Sequence, residues 1–92
     1  MNKANKFVMD FGWDKATKLL ETLRTHAVPN DMKINIINGM WHRSSVGFTY
    51  PELKRLVESN KLVERFGGLE KAKKYIDNFI LPELSRAIAD VE

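Results

Sequence analysis

Residues 60–79 read NKLVERFGGLEKAKKYIDNF, and residues 5–23 read NKFVMDFGWDKATKLLETL. With one gap opposite Gly68, eight of nineteen aligned positions are identical, among them Asn5/Asn60, Val8/Val63, Phe11/Phe66, Gly12/Gly67 and Ala16/Ala72. Each stretch reads as a short helix, a glycine break and a longer helix. The break needs a residue that adopts positive φ cheaply, which is glycine. After it, Leu69, Ala72, Tyr75, Ile76, Phe79 and Ile80 form the apolar stripe of an amphipathic helix, and Trp13, Ala16, Leu19, Leu20 and Leu23 form another. Before it, Val8/Phe11 and Val63/Phe66 are spaced i, i+3 and share a face. Two origins fit this pattern, internal duplication and convergence of two helix–glycine–helix pairs. Two units with unrelated sequence between them do not make a solenoid.

Outside the pair, residues 3–11 and 13–25 are expected as helices, the second closed by Pro29, which drives the preceding residue out of the α region. In residues 32–43, Met32, Ile34 and Ile36 alternate with Lys33 and Asn35, and Asn38-Gly39 is the dipeptide of a type I′ hairpin turn. The expected register sets Ile37 opposite Met40 and Ile36 opposite Trp41. A short helix holding Met32, Ile36 and Met40 is the rival. Thr49-Tyr50-Pro51-Glu52 announces a helix, with Thr49 capping and Glu52 reaching back. Its phase does not extend cleanly to Leu62 and Val63, which predicts a bend near Ser59-Asn60. Pro82 interrupts the last apolar stripe and predicts a kink or restart before Leu84, Ala87, Ile88 and Val91. The expected fold is α+β and mostly helical, two helix–Gly–helix units and a small β-hairpin around one core; an all-α fold is the alternative. Phe7, Phe11, Trp13, Phe66 and Phe79 all fall on inner faces and are assigned to the core.

The chain has 92 residues, taken as a single small globular domain that buries only about 60% of its unfolded surface. It has no cysteine, hence no disulfide, thiolate ligand or thiol nucleophile. No apolar run approaches the ~20 residues of a membrane span. The first residues lack the apolar centre of a signal peptide, so the expected location is cytoplasmic. A net charge of +3 permits nucleic-acid binding without arguing for it.

No motif carries chemistry. His26 suits a helix C-terminus, where the dipole favours it. His42, with Trp41, Arg43, Ser44 and Ser45, is the most varied polar–aromatic cluster, but nothing in the spacing sets a carboxylate behind it. Catalysis would require either histidine in a pocket with a carboxylate. Two separated histidines match no metal-ligand spacing, and there is no phosphate loop. No cofactor, metal or small-molecule substrate is expected. A helix-turn-helix is disfavoured because the position six after each glycine, Lys18 or Lys73, is charged where that motif buries an apolar residue. Glu70–Lys74 and Lys73–Asp77 are expected to neutralise one another along the last unit.

The run ELKRLVESNKLVERFGGLEKAKKYIDNF, Glu52–Phe79, resembles stretches of small accessory proteins of tailed phages and prophages, through ELKRLVES and GGLEKAKKYI. The resemblance implies a small accessory protein that acts by binding a host or phage macromolecule. It transfers no site residue. The expected function is therefore a non-enzymatic protein-binding module or modulator. Its partner surface is Ile37, Met40, Trp41, His42 and Arg43, and its partner is another protein or a second copy as a homodimer. The alternative is nucleic-acid binding through Lys33, Arg43, Lys54, Arg55, Lys61 and Arg65.

Overall fold

The computed structural model describes residues 3–92. The order of elements is α1 (Lys3–Phe11), α2 (Trp13–Thr25), β1 (Ile34–Ile37), β2 (Met40–Arg43), α3 (Tyr50–Arg65), α4 (Leu69–Asn78) and α5 (Pro82–Val91). The fold is mostly helical α+β with one two-stranded antiparallel sheet. The chain divides into two compact units, residues 1–55 and 56–92, and α3 runs from one into the other.

In the first unit, α1 and α2 meet at an elbow. Gly12 caps α2 at φ 86°, ψ 168°, a region open essentially to glycine alone. The elbow turns the apolar sides of the two helices inward: Ala4, Phe7, Val8, Ala16, Leu19 and Leu23 are buried. Helix α2 closes in a Schellman motif, with the Val28 N–H donating to the Leu23 carbonyl at 3.2 Å and the Ala27 N–H to the Arg24 carbonyl at 3.1 Å. Ala27 takes the left-handed conformation there at φ 50°. The hairpin supplies Ile34, fully buried, and the chain beyond it returns Phe48 to pair with Ile34 and to set its ring 5.4 Å from Phe7.

In the second unit, α3 ends in its own Schellman motif, Gly68 N–H to Val63 carbonyl at 3.2 Å and Gly67 N–H to Glu64 carbonyl at 3.0 Å. Gly68 then caps α4 at φ 106°, ψ 176°. Its conformation is that of Gly12, so the structural counterpart of Gly12 is Gly68, and the alignment gap belongs opposite Gly67. Val8 and Val63 are buried alike before the two elbows, and Ala16 and Ala72 after them. The core of this unit is Val63, Ala72, Leu84, Ala87 and Ile88, with Leu62, Phe66, Leu69, Ile76 and Val91 packed partly against it. Buried Ser59 donates from its hydroxyl to Asp90 Oδ2 at 2.7 Å, which ties α3 to α5.

Four expectations need correction. Helix α3 runs uninterrupted through Ser59-Asn60, where a bend is expected, and Ser59 there is buried and hydrogen-bonded to Asp90. Of the aromatic residues assigned to the core, only Phe7 is buried: Trp13 and Phe66 are half-buried, and Phe11 and Phe79 are exposed. Phe11 ends α1 at the elbow, and Phe79 lies where α4 has already stopped. Ile80 leaves the α4 stripe and is 93% exposed. The cause is Pro82, which disfavours the α conformation at Leu81 (φ −126°, ψ 99°) and opens α5 from its first turn. Finally, Lys73 is paired with Glu92 beyond the end of α5, a partner that helical spacing alone does not reveal.

Candidate functional site

The hairpin carries main-chain groups that no described residue satisfies. Asn38 and Gly39 both have positive φ, 54° and 78°, as a type I′ turn demands, and the register is Ile37↔Met40, Ile36↔Trp41, Asn35↔His42 and Ile34↔Arg43. The direction of its main-chain groups follows from two bonds. Ile34 spends both its N–H and its carbonyl on Phe48, at 2.7 and 3.0 Å, so it points away from β2. The Ser44 N–H donates to the Lys33 carbonyl at 2.9 Å, so Ser44 points toward β1. Bonding alternates along an antiparallel pair, hence Met40 and His42 bond inward, while Trp41 and Arg43 direct their N–H and carbonyl groups outward.

The two edges then differ. The outer edge of β1 is largely occupied: Phe48 takes both main-chain groups of Ile34, and the Asn35 side-chain carbonyl accepts the Ile36 N–H at 3.0 Å, which leaves the Ile36 carbonyl as its one outward group without a partner among the described residues. On the outer edge of β2, the main-chain groups of Trp41 and Arg43 have no partner among the described residues. An edge of this kind is a template for another strand.

Strand alternation splits the five residues predicted as one partner surface. Ile37 and Met40, 50% and 66% exposed, lie with His42 on the outer face. Trp41 and Arg43 lie on the other, with Ile34 and Ile36. Trp41 is half-buried there, its ring edge-on to His26 at 5.7 Å. His26 in turn places Nδ1 3.0 Å from the Thr22 carbonyl at the end of α2.

Between that inner face and the helical elbow runs a groove of about 230 Å³, lined by Phe7, Phe11, Leu19, Ile36 and Trp41, with Gly39, Lys15 and Lys18 completing its wall. A more polar depression lies at the other end of the hairpin, where Asp31, Lys33, Arg43, Ser44 and Ser45 meet. Of the predicted basic contacts, Lys33 and Arg43 are thus brought together. Lys54, Arg55, Lys61 and Arg65 are exposed along α3, interleaved with Glu58 and Glu64. No local pattern in the sequence marks the groove. No sequence pattern sets Lys15 and Lys18 apart, and only the hairpin folding over α2 turns them into its wall.

Charge is unevenly divided. Residues 1–55 hold nine Lys/Arg against five Asp/Glu, a net +4, whereas residues 56–92 hold six against seven, a net −1. Among the described residues no group of three or more His, Cys, Asp or Glu could hold a metal ion, and no helix is long and apolar enough to cross a membrane. In the second unit the rings of Phe66, Tyr75 and Phe79 follow one another at 4.8 and 4.9 Å beside exposed Ile80. Comparison with protein-family models, curated proteins and solved structures finds no match.

Proposed function

We propose that this protein is a non-enzymatic protein-binding module that takes an extended segment of its partner onto the outer edge of β2. The observation that carries the proposal is the unshared main-chain edge of Trp41 and Arg43 on a hairpin whose opposite edge is largely occupied. Strand addition supplies affinity through main-chain bonds and specificity through alternate side chains. Ile37 and Met40 give that surface an exposed apolar side of the kind that marks a partner site.

The test is retention of a protein from a nuclease-treated lysate by the tagged chain and by two variants. Arg43→Pro removes an outward N–H at an edge position, where proline is tolerated. The double variant Ile37→Glu/Met40→Glu charges the outer face. A protein held by the natural chain and lost from Arg43→Pro supports strand addition, and equal retention by all three rejects it. Nucleic-acid binding is the second reading, favoured by the meeting of Lys33 and Arg43 in a region of net +4. It requires an affinity that falls steeply and linearly in log–log form with salt. Binding insensitive to salt ends it.

A further inference from the structure

We infer that the groove between the Gly12 elbow and the hairpin receives one large apolar side chain of an acidic protein segment. The inference rests on the hairpin being the docking element and names the chemistry of what it docks. The lining decides the apolar part: Phe7, Phe11, Leu19, Ile36 and Trp41 offer no hydrogen-bonding group except the Trp41 indole N–H, so a polar base edge would go unmatched. The size decides the rest. About 230 Å³ is below the roughly 300–1,000 Å³ of pockets for drug-sized ligands and suits a single leucine- or phenylalanine-sized group. The charge decides the flanks. Lys15 and Lys18 stand one turn apart on α2 at the wall of the groove, neither forms an ion pair among the described residues, and residues 1–55 carry net +4. Carboxylates on either side of the anchor are complementary to that surface. Trp41 joins the two sites, since its ring lines the groove and its main chain forms the β2 edge.

The experiment titrates the full-length, isotope-labelled chain with three capped hexapeptides, each with a central Leu-Phe flanked by two residues of Asp, Ser or Lys. Amide and indole N–H signals are followed by NMR. The Asp peptide is expected to shift Trp41, Gly39 and Leu19, with the Ser peptide about tenfold weaker and the Lys peptide inactive. Lys15→Glu/Lys18→Glu, both exposed and checked by circular dichroism, is expected to weaken the Asp peptide by roughly tenfold or more, the sum of two reversed surface pairs. Equal affinity for the three peptides overturns the inference, as does the absence of shifts at millimolar Asp peptide. It is likewise overturned by a second copy of the chain already filling the groove, seen as a dimer by sedimentation with those signals protected. Arg43→Pro separates the two proposals. Asp-peptide binding kept in Arg43→Pro but lost in the lysine variant upholds the groove and removes the edge. The reverse pattern upholds the edge and removes the groove.

Discussion

Gly47 is the position at which one methyl group should do the most damage. Its backbone crosses that of Ile34 so closely that a β-carbon there would overlap the Ile34 carbonyl, with the carbonyl carbon itself at 2.6 Å. A flexible side chain would step aside, but a strand backbone does not. The Gly47→Ala chain has two ways out. It absorbs the overlap by displacing β1, at the upper end of the roughly 1–3 kcal/mol typical of overpacking. Or it releases the Phe48 bridge and loses two main-chain hydrogen bonds of about 1 kcal/mol each. The second route also withdraws Phe48, 2% exposed, whose full burial is worth about 1.5–3 kcal/mol. The cheaper route sets the cost, so the expected loss is about 3 kcal/mol, a large part of the 5–15 kcal/mol of a typical domain. At about 4–8 °C per kcal/mol for a chain of this size, the melting temperature should fall by roughly 12–24 °C. Urea and thermal unfolding by circular dichroism measure the loss, and amide exchange at Ile34 reports the bridge. Gly39→Ala is the control for backbone strain without overlap, since nothing lies within 4 Å of a β-carbon there. A Gly47→Ala chain within about 0.5 kcal/mol of the natural one, with Ile34 still protected, would refute the argument and with it the claim that the Phe48 bridge closes this edge at Ile34.

The elbows make a paired prediction. Gly12→Ala and Gly68→Ala meet no atom within 4 Å, so each should cost only the backbone term of about 1–3 kcal/mol, and by similar amounts, in urea unfolding; costs that differ widely would deny that the two glycines do the same job. Pro82→Ala should lengthen α4 or α5 through Phe79–Leu81 and raise the helical signal in circular dichroism. An unchanged spectrum would mean that packing, and not proline, sets the break.

Much of the architecture is legible locally because its causes are local. Proline at 82 and glycine at the two elbows act through their own backbones, Asn38-Gly39 dictates its turn and therefore the register, and Thr49 and Glu52 mark the start of α3, where the Glu52 N–H lies 3.4 Å from the Thr49 hydroxyl and that hydroxyl donates to the Glu52 carboxylate. What escapes local pattern depends on atoms distant in the chain. Periodicity assigns Phe79 and Ile80 to an inner face, but a face is buried only while the helix lasts. Ser59 marks the phase shift that predicts a bend, yet it is buried in an uninterrupted α3, where Asp90, thirty-one residues later, accepts its hydroxyl. Lys73 has two acidic neighbours at helical spacing and pairs with Glu92. The candidate site shows the same division. Alternation along the strands already tells Ile37 and Met40 from Ile36 and Trp41. Which edge of the hairpin is closed depends on Phe48 returning to Ile34, and whether Lys15 and Lys18 face a groove or open water depends on where the hairpin lies on α2. Dihedral preferences and residue periods belong to the chain itself, whereas enclosure, charge complementarity and the occupancy of a strand edge exist only once distant segments share a surface.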